Sequence, residues 1–387
     1  MKHLLVLLLV LLVFSAQGQA VEIQGRVFED RNGNALLDQE EEGLSRVTVS
    51  DQVNTTVTDQ DGYFSLTTGD DFPYVFISQP SGYVGVWYYK KASEVNFPLR
   101  RSDAQQHFRF IHASDTHVEP VMLPRMTRFR ELADSRGAQF IIITGDLIKD
   151  ALRANEALAR EQFELYVAEL KKFKTPVYSS VGNHDIFGIE REKSLVSTEH
   201  PLYGKKMYRH YLGPNYYSFN VGGVHFVAVD GVDYQNLWYY GGVDALQLKW
   251  LKSDLEPLPS GTPVVTFNHI PFMSPGFSFR TFDAHAFYGP KLLDQNGTLQ
   301  HRDIVYNFQQ IKDVIGDRPY PLALAGHYHA AQEGSIAGYE TVFAQTSAIT
   351  GPDPFEYHGI AVRSGFTLYE VKDRKVVSSE FIPLDLP

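Results

Sequence analysis

Val177-Tyr178-Ser179-Ser180-Val181-Gly182-Asn183-His184-Asp185 is a short apolar-leaning run that ends abruptly in a glycine, an amide, an imidazole and a carboxylate. A run of this length bounded by turn residues reads as a buried strand. Its polar end falls where open α/β sheets collect their sites, at the carboxyl ends of strands. Working outward in both directions, the same arrangement recurs. Phe108 to Ala113 ends in Ser114-Asp115-Thr116-His117, and Phe140 to Thr144 ends in Gly145-Asp146. Val264 to Asn268 leads into His269-Ile270-Pro271, and Leu322 to Ala325 into Gly326-His327-Tyr328-His329. Residues two apart in extended chain project to one face, so Asp115 with His117 and His327 with His329 form two paired sets. His225 to Val229 is a further apolar run, and the stretches Thr127 to Arg136, Ala154 to Phe173 and Val243 to Leu255 have helical spacing. Strands alternating with helices predict a layered α/β domain. A lone D-x-H or H-x-H pair is common on protein surfaces. Ligand-type clusters repeated at the ends of five apolar runs are not.

The ordered signature D-x-H, G-D, G-N-H-D, H and G-H-x-H, carried by Asp115 to His329, resembles that of the calcineurin-like metallophosphoesterases. The resemblance runs from about Phe108 to the C-terminus. It implies a metallophosphoesterase β-sandwich flanked by helices, a four-layer α/β/β/α fold. It implies that Asp115, His117 and His329 hold one metal, that Asn183, His269 and His327 hold another, and that Asp146 bridges them. It also makes His184 the catalytic histidine and not a ligand. These roles agree with elementary chemistry: two divalent ions about 3.5–4 Å apart clamp the oxygens of an in-line phosphoryl displacement and bring a bridging water to hydroxide near neutral pH. A His, Asp and Asn donor set suits Mn, Zn or Fe better than Mg or Ca. A carboxylate should orient His184, and Asp150 and Asp185 are both candidates. Purple acid phosphatases place a tyrosine three residues after the bridging aspartate, where this chain has Lys149; protein Ser/Thr phosphatases need G-D-x-x-D-R-G, where this chain reads Gly145 to Ala151 without the arginine. The remaining resemblance is to the bacterial phosphodiesterase-like branch.

Upstream of Phe108 the pattern differs. Val21–Phe28, Val47–Ser50, Thr55–Thr58, Tyr63–Thr67, Tyr74–Ser78 and Val84–Tyr89 read as six short strands of a small antiparallel sandwich, with Arg100 to Gln106 as an exposed linker. The expected domains are a signal peptide at 1–20, a β-sandwich at 21–104 and the phosphoesterase domain at 105–387. Within the sandwich, Asp30, Asn32, Asn34, Asp38 and Glu41 occupy positions 1, 3, 5, 9 and 12 of a calcium-loop spacing, with the Leu36 carbonyl at position 7. The departure is Ala35, where position 6 usually needs glycine for its sharp turn. The segment resembles the calcium loops of bacterial surface B-repeat domains, which implies a structural calcium.

Composition narrows the rest. The 387 residues carry 35 Lys and Arg against 46 Asp and Glu, a net charge of −11, which argues against a stable nucleic-acid partner. Zero cysteines exclude disulfides, a cysteine nucleophile and thiolate metal sites. Lys2 and His3, the apolar run Leu4 to Phe14 and small residues up to Ala20 have the layout of a secretory signal, with no transmembrane segment expected after cleavage. The expected location is therefore secreted or periplasmic. No H-E-x-x-H, G-x-S-x-G or phosphate-loop motif supports another enzyme class. Tyr208, Tyr211, Tyr216, Tyr217, Tyr234, Trp238, Tyr239 and Tyr240 flank the His225 run, and Ser274 to Gln300 reads as a long loop rich in Phe. The function expected is a dinuclear metal-dependent phosphoesterase acting on a small phosphodiester or phosphomonoester by attack of a metal-bridging hydroxide. The competing reading is an exported surface- or glycan-binding protein with a non-catalytic metal site.

Overall fold

The computed structural model describes residues 21–69, 72–102, 106–276, 292–293, 299–351, 353–357 and 359–385. The expected signal peptide, most of the Phe-rich loop with Arg280, His285 and Lys291, and His358 lie outside them.

The first eight strands are β1 Val21–Glu29, β2 Thr48–Ser50, β3 Thr55–Val57, β4 Tyr63–Thr68, β5 Tyr74–Ile77, β6 Tyr83–Gly85, β7 Tyr88–Lys90 and β8 Phe97–Arg101. They form two four-stranded sheets, β4-β1-β8-β6 and β3-β2-β5-β7. Alternation drives the packing: along β4, Phe64 and Leu66 are buried while Tyr63 and Ser65 are exposed. These side chains meet Ile23, Val27, Val49, Val75, Ile77, Phe97 and Leu99 in one apolar core. The sequence reading needs three corrections here. The run Val84 to Tyr89 is two strands in different sheets, because the chain leaves one sheet at Gly85 and joins the other at Tyr88. Arg100 and Arg101 belong to β8 and not to a linker. β1 also pairs β8 in parallel, so the sandwich is not purely antiparallel.

The second region continues with β9 His107–Ala113, β10 Phe140–Thr144, β11 Val177–Ser180, β12 Tyr217–Val221, β13 Val224–Ala228, β14 Val232–Gln235, β15 Trp238–Gly241, β16 Val264–Phe267, β17 Leu292–Leu293, β18 Leu299–Gln300, β19 Leu322–Ala325, β20 Gln332–Gly334, β21 Val342–Gln345, β22 Phe355–Tyr357, β23 Ile360–Val362, β24 Gly365–Lys372 and β25 Lys375–Pro383. Two mixed sheets result: β11-β10-β9-β24-β25 and β12-β13-β16-β19-β21-β20. In the first, β9, β10 and β11 are parallel. In the second, β13, β16, β19 and β21 are parallel and antiparallel strands close both edges.

The sheets face each other through an aromatic layer. Phe110 and Phe140 of the first meet Phe226 of the second at 5.5 and 5.1 Å, and Tyr178 stacks on Phe219 at 3.8 Å. Offset and edge-on rings of this kind add about 0.5–1.5 kcal/mol per pair beyond the area they bury. Helices cover the outer faces. Helix Leu123–Ser135 sets Phe129 on Phe366 of β24, helix Glu156–Leu170 sets Tyr166 on Ser179 of β11, and helix Phe308–Ile315 sets Phe308 on Phe343 of β21. The four-layer order is the one expected.

The N-terminal sandwich docks on β12, the edge of the six-stranded sheet. Gln79 bridges Phe219, Asn220 N donates to the Gln79 carbonyl at 2.8 Å, and Trp87 packs on Tyr217 at 4.4 Å. An uncovered edge strand invites pairing with other chains, and this contact removes the opportunity.

Candidate metal centre

Every singled-out residue from Asp115 to His329 follows a parallel strand. Asp115 and His117 follow β9, Asp146 follows β10, and Asn183 and His184 follow β11, all in one sheet. His269 follows β16, and His327 and His329 follow β19, both in the other sheet. The facing of the two sheets therefore brings their carboxyl ends together. His329 Nε2 lies 3.1 Å from Asp115 Oδ1, His117 Nε2 lies 3.6 Å from Asp146 Oδ2, and His269 Nε2 lies 3.2 Å from Asp146 Oδ2 and 3.1 Å from Asn183 Oδ1. Ligand-type atoms gather in three overlapping groups: Asp115, His117 and His329; His117, Asp146 and His184; and Asp146, His269 and His327.

The turns that make this possible are strained. Asp115, His117, Asp146, His327 and His329 all have positive φ, between 37° and 72°. Such conformations cost about 1–3 kcal/mol each in a non-glycine residue and persist at functional sites where the surroundings enforce them. The glycines beside them are fixed by space. A Cβ on Gly182 would lie 2.0 Å from Asp146 N, and one on Gly326 would lie 1.8 Å from Ser114 Oγ.

Three of the imidazoles are aimed by a partner behind them. His269 donates Nδ1–H to the Thr144 carbonyl at 2.7 Å, and His117 donates Nδ1–H to the Lys149 carbonyl at 3.3 Å, which leaves both Nε2 atoms facing inward. His327 is reversed: its Nε2 is tied to Asp303 Oδ1 at 3.1 Å, so Nδ1 faces inward, 3.2 Å from His269 Nε2. Asp146 and Asn183 present oxygens to the same His269 Nε2, so that position needs a proton or a cation. His117 Nε2 is buried with no hydrogen-bond partner, and Asp115 Oδ1 has the His329 imidazole beside it at 3.1 Å. Burial would raise the Asp115 and Asp146 carboxyls, yet the surrounding imidazoles hold both well below the usual carboxylate range. Burial alone would lower His269, but the Asp146 carboxylate pushes it up to about 9; His117, where burial wins, falls to about 4. A buried set of anionic oxygens and inward nitrogens, with orphaned atoms among them, has the donor chemistry of a divalent cation site.

His184 is half-buried at the rim, with Nε2 4.0 Å from Asp146 Oδ2. The choice between its two candidate partners is resolved by distance. Asp150 Oδ1 is 3.6 Å from His184 Nδ1, and the Lys149 carbonyl is 3.1 Å from it. Asp185 turns away: its carboxylate accepts from the Gly182, Leu147 and Ile148 amides, lashing the β10 and β11 turns together. Burial first, and then Asp146, push the Asp185 carboxyl up to about 8. His112 is a buried neighbour, as expected, touching Thr144 Oγ1 at 3.0 Å. Sequence reading missed Asp303. It sits in no motif, and nothing short of the tertiary contact with His327 singles it out.

Residues 108–331 match the family model described as calcineurin-like phosphoesterase, and residues 31–110 match the one described as its N-terminal domain. The chain belongs to the calcineurin-like phosphoesterase family. It is accordingly a metal-dependent hydrolase of phosphoesters. Among solved structures, a dimetal phosphatase from Danio rerio is 14% identical, with 72% of this chain and 99% of that chain covered at a TM-score of 0.44. A purple acid phosphatase from yellow lupin is 12% identical, covering 94% and 67% at 0.45. The phosphopantetheinyl hydrolase of Mycobacterium tuberculosis is 12% identical, covering 62% and 89% at 0.38. No curated protein matches this calcineurin-like phosphoesterase in sequence.

The acidic loop of the N-terminal sandwich adopts a compact turn. Asp30 accepts from Gly33 N and Ala35 N, and Glu41 accepts from Arg31 N and Asp38 N. Ala35 takes φ 60°, the left-handed turn that glycine would usually supply.

Proposed function

We propose that this protein is an exported enzyme that hydrolyses small phosphomonoesters or phosphodiesters at a dinuclear centre. The observation that carries the reading is the inward-facing set of buried atoms around Asp146, namely His117 Nε2, His269 Nε2, His327 Nδ1 and Asp115 Oδ1, with the three imidazoles held from behind. Asp115, His117 and His329 would hold one ion, Asn183, His269 and His327 the other, with Asp146 shared. When bound, Mn, Zn or Fe ions supply positive charge for the phosphoryl oxygens and a water acidic enough to ionise near neutral pH.

The chain's own residues do the rest. His184 stands at the open side of Asp146, where it can give a proton to the leaving oxygen, a contribution of about 10²–10⁴-fold for a well-placed general acid. The Lys149 carbonyl, with Asp150 close by, would orient its Nδ1–H and so turn Nε2 toward the reacting group. Asp185 keeps the Asn183-His184 turn against the Asp146 turn. The boundaries proposed are 21–104 for the sandwich and 105–387 for the catalytic domain, after an export signal at 1–20; a secreted or periplasmic location follows from that signal. The Asp30 to Glu41 loop would bind calcium in a structural role.

The test is turnover of p-nitrophenyl phosphate beside bis-p-nitrophenyl phosphate by enzyme stripped of metal and reloaded with Mn or Zn. Metal-dependent hydrolysis lost in Asp146→Asn is the expected outcome, and the ratio of the two rates assigns the ester class. A folded protein that binds two ions and hydrolyses neither ester would favour a binding role.

A further inference from the structure

The segment that supplies Asp303 also supplies Arg302, and the two point to different tasks. Asp303 stands behind His327. The Arg302 guanidinium lies 4.5 Å over the Trp238 ring and 4.4 Å over the Tyr239 ring, the two residues that open β15. Tyr239 in turn meets the His327 imidazole edge-on, with centroids 6.4 Å apart. The chain thus places a cation, clamped by aromatic faces, one side-chain layer outside the ligand ring.

Among the described residues no carboxylate lies at ion-pair distance from Arg302, and its Nε is buried without a hydrogen-bond partner. Other guanidiniums of this acidic protein are held by carboxylates, Arg153 by Asp150 and Glu190 and Arg130 by Glu169, whereas Arg302 is held by aromatic faces. Stacking on aromatic faces orients a guanidinium but satisfies none of its N–H donors, which still call for an acceptor oxygen. Only the Tyr239 ring stands between the guanidinium and the His327 imidazole, which sets the cation beside the centre and outside the candidate ligands themselves.

We propose that Arg302, positioned by Trp238 and Tyr239, is a specificity-determining residue that binds a second anionic group, a carboxylate or a further phosphate, on the substrate of the centre described above. The proposal rests on the phosphoesterase reading and adds to it the charge of the group attached to the scissile phosphate.

The experiment compares esters that differ by one carboxylate: O-phosphoserine against O-phosphoethanolamine, and glycerophosphoserine against glycerophosphoethanolamine. The quantity read is the ratio of kcat/KM within each pair, in the metal-loaded wild type, Arg302→Gln, Arg302→Lys and Trp238→Ala. A charge-assisted contact gives a preference of about tenfold or more for the serine ester. That ratio should collapse in Arg302→Gln, survive in part in Arg302→Lys and weaken in Trp238→Ala. No preference in the wild type overturns the proposal. So does an unchanged ratio in Arg302→Gln with both rates lowered alike, which would make Arg302 a strut for the β14–β15 hairpin. If all four esters are inert, the phosphoesterase reading fails separately, and calorimetry decides the arginine. Phosphoserine should then bind the wild type about tenfold more tightly than phosphoethanolamine, and equal affinities overturn the proposal.

Discussion

Two regions of this chain concentrate oxygen and nitrogen ligands, and they differ in where those ligands come from. The acidic loop draws Asp30, Asn32, Asn34, Asp38 and Glu41 from 12 consecutive residues and satisfies their oxygens with its own amides and side chains, as when Asp38 accepts from Asn32 and Asn34. The phosphoesterase centre draws its groups from the ends of five strands in two sheets and leaves the buried His117 Nε2 with no hydrogen-bond partner. Asn32, Asn34 and Asp38 are exposed, so water can solvate them in the absence of an ion. Asp115 and Asp146 are buried, and an uncompensated buried carboxylate costs several kcal/mol, so their charge leans on the imidazoles packed against them or on an ion. The contrast teaches that close spacing in sequence makes a site visible, whereas burial of its charges makes it dependent on what compensates them.

The sharpest way to break that comparison is to remove the ions. Chelation should abolish ester hydrolysis, and Mn or Zn should restore it, as measured by p-nitrophenol release; calcium alone should not. Asp146→Asn should lower kcat/KM by about 10³-fold or more with metal in excess, since a shared carboxylate is lost from a cation clamp. His184→Ala should lower kcat by about 10²–10⁴-fold while leaving metal content intact by elemental analysis, which separates the general acid from the ligands.

Smaller effects sharpen the picture. Asp303→Asn should weaken metal affinity or activity by about 10–100-fold, the usual size for a carboxylate behind a ligating histidine. Equal affinity in the variant would show that Asp303 aims nothing. At the other end, Asp30→Ala should leave turnover unchanged and remove a calcium-dependent rise in melting temperature. That rise would correspond to about 2.7 kcal/mol at one hundred times the dissociation constant. A calcium effect on turnover would dissolve the distinction between the two regions.

Much of this was legible before any coordinates. The position of every candidate ligand at the end of an apolar run followed from the alternation of strand and turn chemistry, because a parallel strand must present its polar continuation at one edge of the sheet. The loop spacing was equally readable, and the left-handed Ala35 shows the turn made without the glycine. The fragments Tyr83–Gly85 and Tyr88–Lys90 were not separable, because two short strands joined by two residues share one composition whichever sheet each joins. β24 was also invisible as a partner of β9, since the pairing joins residues more than 250 positions apart, such as Leu368 with Ile111.

What the sequence determined by itself is the donor set, its order along the chain and the family it belongs to, all of which are local chemistry repeated at strand ends. What only the tertiary structure decided is which nitrogen of His117, His269 and His327 faces inward, that Asp150 and not Asp185 stands beside His184, that Asp303 stands behind His327 and that Arg302 stacks on Trp238 and Tyr239. Those facts depend on what lies behind or above a side chain, supplied by another strand or loop at a contact distance of about 3–5 Å, and such proximity leaves no trace in the spacing of residues along the chain.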